Sequence, residues 1–145
     1  MSFTALILAA SVVTPQPTQV LVNPDTQLPT FEAGVLSAPL PGELSAAVRT
    51  WALSQRQHYG LPIASSLRSS GAYGTRFGAS FHLQQTVKDL DVYEAKLVVT
   101  LDAERRVGQV ASSLKPFVRV VDGAPMTVGD ALKLAEKRTL SEADR

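Results

Sequence analysis

The chain has 145 residues and a formal net charge of +1, without a Lys/Arg block, so its electrostatics argue against nucleic acid as a partner. Cysteine is absent, which excludes disulfides and thiol chemistry and leaves the redox compartment open. The length, with 45% hydrophobic and 19% charged residues, suits one compact core.

Residues 1–14 open with the apolar run Phe3–Val13, which ends in small residues. Its length matches a signal-peptide core of about 7–15 residues and falls short of the ~18 needed to cross a bilayer. The usual basic start is missing, because Met1-Ser2 carries no Lys or Arg. A signal peptide is the expectation, with a buried first strand as the alternative. Export then implies a secreted or periplasmic protein. No other apolar run is long enough to span, so no stable membrane insertion is expected.

Residues 15–42 form an extended, Pro-rich segment. A short edge strand is expected at Gln19–Val22 and another extended piece at Pro29–Gly34. Pro39-Leu-Pro-Gly42 marks a boundary. Glu43–Tyr59 then reads as the main helix, since Leu44, Ala47, Val48, Trp51 and Ala52 make one apolar stripe. Trp51 sits on that stripe and is assigned to the core. Gly60 suits the C-terminal cap, and Pro62 forbids continuation.

Leu67–Tyr73 is Ser-rich, with only one or two candidate strand residues. Gly71, Gly74 and Gly78 lack any phosphate-loop spacing and mark turns or a bulge. The segment Ser80–Asp102 carries the clearest signal. Phe81, Leu83, Gln85 and Val87 alternate with Ser80, His82, Gln84 and Thr86, which predicts a strand with one wet side. Tyr93, Ala95, Leu97, Val99 and Leu101 share the apolar face of a second strand. The polar break Lys88–Asp91 makes the two a hairpin. Arg106–Ser113 and Phe117–Val121 read as a third and a fourth strand. Thr127 caps a short helix with Val128, Ala131, Leu132 and Ala135 as its stripe. Residues 139–145 are a polar tail or the start of a linker.

The predicted fold is therefore α+β. An antiparallel sheet of about four strands carries the main helix across one face, with a short C-terminal helix added.

The runs Phe81-His-Leu-Gln-Gln-Thr-Val, Val92-Tyr93, Lys96-Leu-Val-Val-Thr-Leu-Asp102 and Arg106-Val-Gly-Gln-Val-Ala-Ser-Ser113 resemble the fungalysin/thermolysin propeptide domain. The resemblance covers roughly residues 43–114, within a propeptide-like unit assigned to 43–138. The stretch Met126–Ala135 resembles the start of a helix in PepSY-type modules. Where the family has Gly in the two turns, this chain has Leu90 and Ala103–Arg106, so both loops should differ in shape. The resemblance implies a non-catalytic module that helps a secreted zinc metalloprotease fold and keeps it inactive. The expected partner is that protease's catalytic domain, in cis or in trans. A stand-alone exported binding or inhibitory module is the alternative.

The chain's chemistry agrees with a non-enzyme. Its two histidines, His58 and His82, form no HExxH arrangement, so any such segment lies elsewhere in a protease precursor. His58 reads as a helix-end residue and His82 as an exposed strand residue. Asp89 and Asp91 read as turn formers rather than paired catalytic acids. Ser65, Ser66, Ser69 and Ser70 lack a nucleophile elbow. No catalytic residue, metal ligand or cofactor site is assigned. Gln85, an amide on an apolar face, either bonds a neighbouring segment or faces a partner groove. Gln85, Val92 and Tyr93 are the candidate contact or structural residues.

Overall fold

A computed structural model describes residues 14, 16–76, 78–118, 120, 128–130 and 132–133. Residues 1–13 of the expected signal peptide and the whole polar tail, 139–145, lie outside these residues.

The described strands are β1 (Gln16–Val22), β2 (Pro29–Val35), β3 (Ser65–Thr75), β4 (Gly78–Val87), β5 (Leu90–Leu101) and β6 (Val107–Ser112). Helix α1 (Leu44–Ser54) lies between β2 and β3 in the chain. The strands make one six-stranded antiparallel sheet in the order β1-β2-β6-β5-β4-β3. This corrects the expected sheet of about four strands. Both extended N-terminal pieces join it, and so does the Ser-rich stretch. Of these, β1 and β3 are the sheet's edge strands, where backbone pairing suffices without apolar alternation. Every residue of β1 is exposed, and β3 is exposed along most of its second half. Phe117, Val118 and Val120, expected in a fourth strand, are not in strand conformation. Residues 128–130 and 132–133 are helical, but Val128 and Leu132 of the expected stripe are exposed.

The core lies between α1 and one face of the sheet. Leu67, Leu83, Leu97, Val99, Val107 and Val110 are fully buried there, with Val48 and Ala52 from the helix. The alternation predicted for β4 supplies this face through Phe81, Leu83, Gln85 and Val87. Arg49 locks helix to sheet by donating from Nε to the Leu67 carbonyl at 2.6 Å. Glu43 caps α1, and its carboxylate accepts from the amides of Ser45 and Ala46 at 2.9 and 2.7 Å. Those bonds hold its carboxyl below the usual range.

The helix ends at Ser54 rather than Tyr59. The Ser54 hydroxyl takes the Trp51 carbonyl at 2.6 Å, and the chain loosens into turns. The coil closes at Gly60, which has φ +69. There the Leu61 amide reaches Arg56 O at 2.8 Å and the Gly60 amide reaches Gln57 O at 3.3 Å, a Schellman pattern. Tyr59 is thereby turned into the core, 3% exposed.

The β4–β5 connection is tighter than the predicted Lys88–Asp91 break. Val87 pairs with Leu90, so Lys88 and Asp89 alone make the turn, at φ +49 and +62. Two left-handed positions define a type I′ hairpin, which favours Gly over Asp. Asp89→Gly is expected to stabilise the protein by about 1 kcal/mol. Thermal unfolding should show a midpoint higher by a few degrees. An unchanged midpoint would mean that the turn carries no such strain.

Candidate partner-binding site

The hairpin is interrupted by a bulge. Gln84 pairs with Lys96 and Thr86 pairs with Asp91, so Gln85 alone faces Val92, Tyr93, Glu94 and Ala95. The extra residues loop outward, helped by a left-handed Glu94 at φ +53. The loop is held from inside. Gln84 Nε2 donates to the carbonyls of Val92 at 2.7 Å, Ala95 at 3.0 Å and Gln85 at 3.1 Å. Ser113 closes the other side, donating from its hydroxyl to Glu94 O at 2.8 Å and accepting from the Lys96 amide at 3.0 Å. Near the hairpin turn the Arg68 guanidinium meets both Asp91 oxygens, at 2.7 and 2.6 Å.

The bulge shifts the phase of β5, not of β4, and around it two sequence readings are overturned. Tyr93 was expected on the apolar face, yet it is 83% exposed. Gln84 and Thr86 were expected on the wet face, yet both are buried. Val92, the first residue of the loop, is half-buried. The result is an aromatic side chain presented to solvent from a braced backbone loop, with Leu90, three residues before it in β5, also exposed at 63%.

Gln85 stands at the centre of the same end of the sheet. Its Nε2 donates to Ser65 Oγ at 3.1 Å and to Lys115 O at 3.0 Å, and its Oε1 accepts from the Lys115 amide at 2.8 Å. These bonds anchor two loops. One bears exposed Ile63 just before Ser65, and the other bears exposed Phe117 just after Lys115. Ile63 and Phe117 line a groove of about 490 Å³ with Leu28, Arg56 and Pro116. Adjacent glutamines thus organise this end. Gln84 holds the bulge that presents Tyr93, and Gln85 holds the loops that present Ile63 and Phe117. Large exposed apolar side chains on a braced framework suit protein recognition.

A second constellation lies where β2 meets the turns after α1. His58 Nε2 is 2.9 Å from both carboxylate oxygens of Glu32, and the Tyr59 hydroxyl donates to Glu32 Oε2 at 2.5 Å. The Tyr59 ring meets His58 edge-on at 4.8 Å between centroids and lies 6.4 Å from Trp51. Burial, then the Glu32 hydrogen bond and charge, push the Tyr59 phenol well above its ordinary range. Sequence reasoning did not single out Glu32, and it placed Tyr59 at the end of the main helix. Nothing local marks the cluster, because Glu32 and His58 are 26 residues apart.

The remaining sequence candidates stay apart. His82 is half-buried and meets Tyr73 edge-on at 5.0 Å. Asp89 forms the turn, and Asp91 pairs with Arg68. Among the described residues, no group of three or more His, Cys, Asp and Glu converges as a metal site. No described helix is long and apolar enough to cross a membrane. No family model, no curated protein and no solved structure matches this chain.

Proposed function

We propose that the chain is a non-catalytic propeptide-like module that binds, helps fold and inhibits a secreted zinc metalloprotease. The observation that carries this reading is the braced bulge that presents Tyr93 to solvent. The residues behind the propeptide resemblance, Gln84-Gln85 and Val92-Tyr93, meet in that one feature. A tyrosine on a braced backbone loop has only two side-chain torsions to lose on docking, which favours a tight contact with a folded partner. Binding the native protease and not its unfolded chain then shifts the protease toward its native state.

The test is a titration of thermolysin-like zinc proteases with the purified chain. Saturable, sub-micromolar inhibition is expected. Tyr93→Ala should weaken it roughly 30-fold, the size of a hot-spot loss, with unchanged thermal stability. Unchanged peptidase activity together with an unchanged refolding yield of the protease would overturn the proposal.

A further inference from the structure

Glu32 lies in a pocket of about 210 Å³, with Pro17, Leu36, Trp51, Gln55, His58 and Tyr59 around it. Its side chain is only 4% exposed. A buried carboxylate ordinarily has a fixed cation beside it, because desolvating an unmatched charge is costly. Here its partners are a phenol and an imidazole, and among the described residues no lysine or arginine bonds it. Tyr59 is locked in the core, but the His58 side chain is 48% exposed and covers the carboxylate from the solvent side.

We propose that this pocket is a binding site for a guanidinium or primary ammonium group, which takes the place of the His58 ring on Glu32. Three features fit that chemistry. The carboxylate offers two oxygens, which a planar guanidinium meets with paired hydrogen bonds. Trp51 and Tyr59 line the pocket, and aromatic walls attract a cation that reaches a ring face. The volume is below the roughly 300–1,000 Å³ usual for a whole small-molecule ligand, so the pocket suits a side-chain-sized group. The cation comes either from a free amine or from a basic side chain of a protein partner. The second source rests on the propeptide reading.

Trp51 is the sole tryptophan and lines the pocket, so its fluorescence reports occupancy directly. The intact chain is titrated with agmatine, and with N-butylurea as a neutral control. A saturable change with agmatine alone is expected. His58→Ala should tighten agmatine binding several-fold, because the competing ring is gone. A purely structural His58–Glu32 contact gives no such gain. Glu32→Gln, checked for folding by circular dichroism, should weaken binding at least tenfold. No saturable response to agmatine up to ~10 mM in both the wild type and His58→Ala overturns the proposal. An equal response to butylurea overturns it as well. Loss of protease inhibition in Glu32→Gln assigns the cation to the protease. Retained inhibition with lost agmatine binding assigns it to a free amine. A chain that binds agmatine but inhibits no protease fails the propeptide reading and keeps the site.

Discussion

Gln85→Leu is expected to cost about 3 kcal/mol of stability and to release the chain that follows β6. Leucine nearly matches glutamine in volume, so the loss is not a cavity effect. It comes from polar groups left behind in a fully buried setting. Gln85 is 0% exposed and bonds Ser65 Oγ, Lys115 O and the Lys115 amide. The Ser65 side pairs β3 with β4, and the Lys115 side closes over Leu114, a core residue. Leucine removes three hydrogen bonds, and each costs on the order of 1 kcal/mol where water can partly reach the orphaned group. Against a total of roughly 5–15 kcal/mol, that is a large fraction. Urea unfolding should show a lower midpoint with an unchanged slope, and hydrogen exchange at the Lys115 amide should accelerate. Gln85→Glu separates the two ends of the amide. It keeps an acceptor for the Lys115 amide but sets a carboxylate against Lys115 O. Its stability should therefore recover on acidification, when the carboxyl can donate again. A loss below about 1 kcal/mol for Gln85→Leu would mean that the clamp contributes little in solution.

The same glutamine shows how far the sequence could be read. Period-two alternation places Gln85 on the apolar face of β4, and that face is where the structure has it. What it bonds was not legible, because Lys115 is 30 residues away. The strand after it was legible only from Ala95 onward. The bulge inserts residues that have no signature in the hydrophobic pattern, so counting back through it put Tyr93 on the wrong side. The signal that could have found it is the Gln84-Gln85 pair, since a second amide next to a buried one also needs acceptors, and a looped-out backbone supplies them. The margins of the sheet were harder to read. In β1 all residues are exposed, so only its second half, Gln19–Val22, was legible as a strand, and in β3 serine and glycine replace the apolar partners, so period carried no information there. The Glu32, His58 and Tyr59 cluster joins two elements, and only the way β2 lies against the turns after α1 creates it.

Tyr59→Phe should lower stability at neutral pH and flatten its fall in alkali. At neutral pH the wild-type hydroxyl donates to Glu32 Oε2 at 2.5 Å. Removing it leaves the carboxylate with the imidazole alone, at a cost of about 1–3 kcal/mol. The alkaline behaviour follows from the raised phenol. Burial comes first among the causes, followed by the hydrogen bond to Glu32 and the charge of Glu32. The unfolded chain releases this proton near the ordinary tyrosine value of about 10, whereas the folded chain still holds it. A group whose folded value is raised contributes fully below the unfolded value and loses that contribution as pH climbs from there. Wild-type stability should therefore drop above about pH 10, with a slope approaching 1.4 kcal/mol per pH unit from this one proton. Phenylalanine has no proton to lose, so its curve lacks that component. Lysines, arginines and the other tyrosines titrate in both proteins and cancel in the difference. Urea unfolding of both proteins at pH 8, 10 and 11 should show the gap narrowing as pH rises. Parallel curves would mean that the Tyr59 hydroxyl does not lie against Glu32 in solution, and the pocket built on that carboxylate would lose its fixed wall.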